Sequence, residues 1–177
     1  MKYFKKLIGK RVYLSPINTE DLETYTRWLN DYEVSRNLDL FSQMISLTNE
    51  RKTLEQMTSE GQHFAIILAE SDTLLGNISL NEVNPIRRTA TLGLFIGEAD
   101  SRGKGYGAEA IRLIVDYGFK TLNLHNIMLN VNSDNKQGIA CYKKVGFREF
   151  GRRREAVFVD GKYVDNLYME ILSGEMS

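Results

Sequence analysis

Gly103, Gly105 and Gly107 stand at alternate positions between a run of sheet-forming residues and the strongest helical pattern in the chain. That junction limits the fold more than any other stretch. Residues 89–96 suit a pleated sheet, and Ile111, Ile114, Val115, Gly118, Phe119 and Leu122 then fall three and four apart, the spacing of one buried helical stripe. Residues 127–131 again read as a strand, so residues 89–131 form a strand, loop, helix, strand unit. Strands joined through a helix run parallel, because a short turn alone gives antiparallel neighbours.

At such a junction successive main-chain N–H groups point outward, and the helix entrance adds about half a positive charge. The combination binds an anion. Missing side chains let a phosphate approach the main chain, while Arg102 and Lys104 supply charge at the rim. The competing reading is a turn that needs glycine only for its dihedral angles. Two other phosphate loops fit less well. A nucleoside-triphosphate loop ends in Gly-Lys-Ser/Thr, which Tyr106-Gly107-Ala108 does not supply. A dinucleotide fingerprint asks for an acidic residue at the end of the next strand, where Asn132 stands, and three antiparallel strands precede this loop.

Elsewhere the periods alternate. Val12 to Leu14 before Ser15-Pro16 reads as a first strand. A helix follows, capped by Asn18 or Thr19, with Leu22, Tyr25, Trp28 and Leu29 on its buried side. A second helix spans residues 48–59 with a thin apolar stripe, Leu54 and Met57, and ends at Gly61. Residues 64–68, 74–83 and 89–96 are three consecutive strands joined by turns at Ser71-Asp72 and Asn84-Pro85. Residues 136–145 form a short helix stopped by Gly146, and two last strands flank Asp160-Gly161. In the final strand Tyr163, Asp165, Leu167, Met169 and Ile171 share one face.

The 177 residues suit one compact domain, with 23 basic and 23 acidic side chains. No global field attracts nucleic acid, and Arg152-Arg153-Arg154 reads as the solvated face of a strand. Neither a secretory leader nor a membrane-spanning run is evident, and the single Cys141 forms no internal disulfide, so a cytoplasmic protein is expected. His63 and His125 lack ligand spacing, and no metal is expected.

Arg102-Gly103-Lys104-Gly105-Tyr106-Gly107 matches the pattern Arg/Gln-x-x-Gly-x-Gly/Ala, and here the chain resembles the GNAT superfamily of N-acetyltransferases. The likeness extends to Leu14 with Pro16, Gly76, Asp116-Tyr117-Gly118-Phe119, Asn132-x-x-Asn135, Tyr142-Lys143-Lys144-Val145-Gly146-Phe147 and Asp160-Gly161-Lys162-Tyr163-Val164-Asp165. It is nearest to the branch of ribosomal-protein N-terminal and polyamine acetyltransferases. The resemblance implies an α+β fold in one domain over residues 1–177: a mostly antiparallel twisted sheet of about seven strands, with a splayed parallel pair and about four flanking helices. The splayed pair maps to residues 89–96 and 127–131.

The same resemblance implies an acyltransferase that passes the acetyl group of acetyl-CoA to an amine by direct attack in a ternary complex. Main-chain groups near Leu94, Phe95 and Ile96 would pair with the pantetheine arm, and the glycine loop would hold the pyrophosphate. Tyr142 matches the family's general acid toward the departing thiolate, a phenol that stays protonated at neutral pH. Asn135 would bond the cofactor or simply cap its helix. Glu82 is the candidate proton acceptor, with Leu92 standing where some relatives carry a Glu. Cys141 has no His beside it in sequence, which argues against an acetyl-thiol enzyme.

Residues 34–46, with Glu33 beside them, should line the acceptor side, and the two acidic residues Glu33 and Asp39 against the one basic Arg36 make a mild case for a cationic amine over an anionic nucleotide sugar. The acceptor is then a small polyamine-like primary amine or a protein N-terminus. An amino-sugar nucleotide is the next choice, and a regulatory module that binds acetyl-CoA without turnover is the reading from another class. Family relatives are often dimers, so a homodimer is compatible with the final hairpin.

Overall fold

A computed structural model describes residues 2–175. Eight strands, β1 (Leu7–Ile8), β2 (Val12–Pro16), β3 (His63–Leu68), β4 (Thr73–Asn84), β5 (Thr89–Ile96), β6 (Asn126–Asn132), β7 (Arg148–Val159) and β8 (Lys162–Leu172), form one sheet in the order β1-β2-β3-β4-β5-β6-β8-β7. The helices are α1 (Leu22–Leu29), α2 (Tyr32–Ser35), α3 (Leu47–Glu60), α4 (Tyr106–Lys120) and α5 (Lys136–Val145). β5 and β6 pair in parallel, and their register covers Thr89↔Asn126, Ala90↔Ile127 and Thr91↔Met128. β5 itself continues to Ile96 and β6 to Asn132.

The two elements beyond the expected number are small. β1 is two residues long and α2 a single turn capped by Asp31, whose side chain accepts from Glu33 N–H. Neither is long enough to show a period in sequence.

By compactness the chain divides into residues 1–79 with 94–113, and residues 80–93 with 114–177. In the first unit Tyr13, Leu22, Tyr25, Trp28, Leu54, Ala65 and Ile67 form the core, with Phe95 packed against it. The rings of Tyr25, Trp28 and Phe95 meet edge to face at 5.6 to 6.3 Å. Two glycines permit close approaches here. A Cβ on Gly97 would lie 2.0 Å from the Trp28 ring, and one on Gly76 would lie 2.0 Å from the Phe95 carbonyl oxygen. Asn18 caps the turn before α1, accepting from Glu20 N–H at 2.9 Å, and Ser46 caps α3, accepting from Asn49 N–H.

The second unit buries Leu80, Ile114, Val115, Ile127, Leu129, Phe147, Leu167, Met169 and Ile171. Gly118 lets α4 lie against the sheet, since a Cβ there would sit 2.8 Å from Ile127 Cδ1. Of the β8 residues that alternate on one face, Leu167, Met169 and Ile171 are buried but Tyr163 is exposed, while Val164 and Asn166 of the other face are buried. The neighbouring β7 shifts register between Arg153 and Val157, with Glu155 in the left-handed region (φ 50) and its N–H donating to Asp165.

Candidate functional site

The glycine loop has the geometry of an anion nest. Gly103 and Gly105 take φ of 73 and 85, which turns successive amides outward just before α4 begins. Arg102 N–H donates to Ala99 and Glu109 N–H to Gly105, while the main-chain N–H groups of Tyr106, Gly107 and Ala108 fall in the first turn of α4, whose amides have no partner within the helix. Those amides sit at the positive end of a fifteen-residue helix.

The charges around the loop are arranged differently from the sequence expectation. Arg102 does not reach out from the rim. Its Nε donates to Ile96 O at 3.0 Å and its Nη2 to Gly97 O at 2.7 Å, fastening the loop to the end of β5. The Ile96 carbonyl, expected to face the pantetheine arm, therefore already accepts one hydrogen bond. Leu94 and Phe95 lie on the same strand end, half-buried, and the Phe95 side chain belongs to the core. Lys104 is exposed, and its carbonyl accepts from Arg11 Nη1 at 2.9 Å.

Arg11 is the residue that sequence reasoning missed. Its guanidinium also donates to Glu109 Oε2 at 3.0 Å and lies 5.0 Å from the Tyr106 ring centroid. Glu109 Oε1 accepts from the main-chain N–H of Arg11 and Val12 at 2.7 and 3.2 Å. Burial opposes charge on Glu109, yet these bonds outweigh it and hold the carboxyl below its ordinary value. Gly9 leaves room for that carboxylate, since a Cβ there would lie 2.7 Å from Oε1. Arg11 and Glu109 are 98 positions apart, and no local pattern announces such a pair.

In the second unit, Asn135 caps α5: its Oδ1 accepts from Gly138 N–H at 2.9 Å. The small residue at 138 now has a reason, because a Cβ there would fall 2.8 Å from Asn135 Nδ2. Tyr142 is half-buried on α5 with its ring edge-on to Phe147 at 6.0 Å. Burial, with a smaller contribution from Cys141, pushes its phenol well above 10, so it keeps its proton at neutral pH. Glu82 is exposed, has φ of 52, and accepts from Thr91 Oγ1 at 3.0 Å.

A second carboxylate draws notice in the first unit. Glu50 on α3 is buried, and burial pushes its carboxyl up to about 7. Tyr25 Oη and Asn77 Nδ2 are buried without hydrogen-bond partners. The sequence held one signal for Glu50: it stands four residues before Leu54 and seven before Met57, on the stripe that looked thin. Of the expected acceptor segment 34–46, Val34 and Ser35 end α2 and residues 36–46 join α2 to α3, carrying the exposed Met44. Asn30 pins this segment, accepting from Ile45 N–H at 3.1 Å and donating to Ile45 O at 2.8 Å. Among the described residues no cluster of His, Cys, Asp and Glu is placed to hold a metal, and no helix is long and apolar enough to cross a membrane.

The family model described as an acetyltransferase (GNAT) domain matches residues 11–148. A probable N-acetyltransferase of Bacillus subtilis, YjcK, is 32% identical over 94% of this chain and 97% of its own length. The spermidine N(1)-acetyltransferase of Escherichia coli is 30% identical over 89% of this chain and 84% of its own. Among solved structures, the spermidine N-acetyltransferase of Vibrio cholerae in complex with CoA and spermine superposes with a TM-score of 0.84. It is 26% identical and covers 94% of this chain and 98% of that one.

Proposed function

The chain belongs to the GNAT acetyltransferase family and is an acetyl-CoA-dependent N-acetyltransferase, and from that premise we propose that its acceptor is a small polyamine-like primary amine. Residues 1–177 act in this reading as one acetyltransferase domain. The observation that carries it is the glycine loop 103–105, with positive φ at Gly103 and Gly105, leading into the open amides of the first turn of α4. Linked phosphates match such a run in charge and in hydrogen-bonding sense, because they offer only acceptors.

Each residue then has a task. Gly103, Gly105 and Gly107 keep the amides bare for the pyrophosphate, with Tyr106 and Lys104 flanking them, while Arg102 and Arg11 hold the loop's path. Main-chain groups at Leu94, Phe95 and Ile96 receive the pantetheine arm, the Ile96 carbonyl sharing its second lone pair. Acetyl-CoA supplies an activated thioester carbonyl. Tyr142, kept protonated by burial, donates its phenolic proton to the sulfur as the C–S bond breaks. Asn135 shapes the start of α5 through its cap and thereby positions Tyr142 about two turns on. Glu82 and Glu50 are the two carboxylates available to take a proton from the attacking amine.

The acceptor class draws on the two spermidine acetyltransferases to which the chain is similar. A homodimer remains part of the proposal, with exposed Phe158 and Tyr163 on the last hairpin as contact residues. The test is acceptor-dependent thiol release from acetyl-CoA with spermidine, spermine, N-terminal peptides, amino acids and an amino-sugar nucleotide. Preferential turnover of the polyamines is expected. Faster turnover of a peptide or of the sugar nucleotide overturns the acceptor class.

A further inference from the structure

We propose that Glu98 is a positioning residue for acetyl-CoA: its carboxylate holds Trp28 of α1 against the end of β5 and so fixes the main chain that receives the pantetheine arm. The inference rests on the reading of residues 94–96 as that receiving stretch, and it names a side chain that acts on the thioester only through the backbone.

β5 ends at Ile96, and the two residues after it decide where its last main-chain groups point. Three neighbours hold them. β4 accepts the Gly97 N–H on Leu75 O at 2.8 Å, Arg102 of the glycine loop covers the carbonyls of Ile96 and Gly97, and α1 reaches Glu98. The approach of α1 is close. A Cβ on Gly97 would lie 2.0 Å from the Trp28 ring, and the ring of Phe95, itself part of β5, meets Trp28 edge to face at 6.1 Å.

Glu98 stands where a capping side chain belongs, just ahead of the single turn Ala99–Ser101, yet its carboxylate does not cap that turn. It crosses to α1 instead. One oxygen, Oε1, accepts from Trp28 Nε1 at 3.0 Å and also from Arg27 Nη2. The two bonds differ in weight. The Arg27 side chain is 62% exposed, and ion pairs in water contribute little. Trp28 is 1% exposed, and a buried indole N–H needs an acceptor. Without the carboxylate at 98 that donor would stay unmet in the core, or the ring would leave Gly97 to find another partner. Either result moves the strand end, and small errors in reacting geometry cost large factors in rate. The Arg27 bond, with help from the Trp28 bond, outweighs burial and holds the carboxyl below its ordinary value, so the acceptor persists at neutral pH.

Trp28 is the chain's one tryptophan, so its fluorescence reports this contact directly. In wild type, acetyl-CoA should shift Trp28 emission, and 3′-phospho-ADP, which has the pyrophosphate but no pantetheine arm, should shift it far less. Calorimetry then compares Glu98→Ala with Glu98→Gln, which keeps an acceptor for the indole but no charge. Glu98→Ala should weaken acetyl-CoA binding about 5- to 10-fold and leave 3′-phospho-ADP within about twofold, with kcat down about 10-fold for whichever amine turns over fastest. Glu98→Gln should stay within about threefold of wild type in all of these. Unchanged acetyl-CoA affinity in Glu98→Ala overturns the proposal, as does an equal loss for both ligands, which would mark a general disturbance of the glycine loop. So does a Glu98→Gln variant as impaired as Glu98→Ala. If Glu98→Ala fails to fold by circular dichroism, Trp28→Phe decides, since it keeps a ring against Gly97 but no N–H. A loss of about 3- to 5-fold for acetyl-CoA alone is then expected, and affinity equal to wild type overturns the proposal. Wild-type emission that bound acetyl-CoA leaves unmoved, or that 3′-phospho-ADP moves equally, refutes the receiving stretch itself and the inference with it; shifted emission with unaltered variants refutes the inference alone.

Discussion

Replacing Glu50 by Gln should stabilise the protein at neutral pH, by an amount that grows as pH rises. The carboxyl moves from an ordinary 4.5 to about 7 because it is buried on α3. The folded state therefore binds this proton more tightly than the unfolded chain. Below about pH 4.5 both states hold it and Glu50 contributes no difference; as pH rises through 7 the fold must either keep the proton or bury a bare charge. A tenfold change in proton affinity is worth about 1.4 kcal/mol, so wild type should lose about 3 kcal/mol across that window. Glutamine, nearly the same shape and never charged, escapes the loss. For a chain of this length each kcal/mol moves Tm by about 2–4 °C, so the variant should melt about 6–12 °C higher at pH 8 and level with wild type near pH 4.5. Differential scanning calorimetry from about pH 4.5 to 8.5 at fixed ionic strength reads this directly. Asp21, Tyr3, Lys2 and Tyr25 are common to both proteins, so their titration cancels in the difference. A gap that stays flat with pH, or a variant less stable at pH 8, would mean that the fold compensates the carboxylate and would refute the reasoning.

Arg11→Ala should raise KM for acetyl-CoA about 5- to 20-fold with little change in kcat, because the loop loses a charged hydrogen bond to Lys104 O and the Glu109 pair while the chemistry is untouched. Initial rates at saturating spermidine check it; a fall confined to kcat contradicts a purely positioning role. Tyr142→Phe should reduce kcat about 100-fold at unchanged acetyl-CoA Kd, since the ring still packs on Phe147 but no proton reaches sulfur; single-turnover rates and calorimetry check the two halves. Gly97→Ala should destabilise the fold by about 1–3 kcal/mol, because its Cβ would sit 2.0 Å from the Trp28 ring, and thermal unfolding without ligand measures it.

What the sequence disclosed was whatever repeats at short range. The α4 stripe, the glycines before it, the cap at Asn135 and the stop at Gly146 each depend on residues within one or two turns, and each stands where expected. What stayed hidden depends on separation. Arg11 meets Glu109 across 98 positions, Arg102 turns inward onto the carbonyls of Ile96 and Gly97, and the register shift in β7 between Arg153 and Val157 leaves no local pattern. Glu50 lies between these cases. Its place on a helical stripe was visible, but its near-complete burial appears only once the core around α3 is assembled.

The two groups of polar atoms in the first unit obey opposite rules, and the contrast argues for what each does. Around the glycine loop nearly every side chain is paired: Glu109 with Arg11, Arg102 with carbonyls, Glu98 with Trp28 Nε1 at 3.0 Å. Only backbone amides are left, fixed in direction by glycine dihedrals and by α4, and such amides need no reorganisation to meet phosphate. Glu50 differs: it is buried on α3 and burial raises its carboxyl, so its charge is held at a cost to the fold that the paired side chains around the loop do not impose.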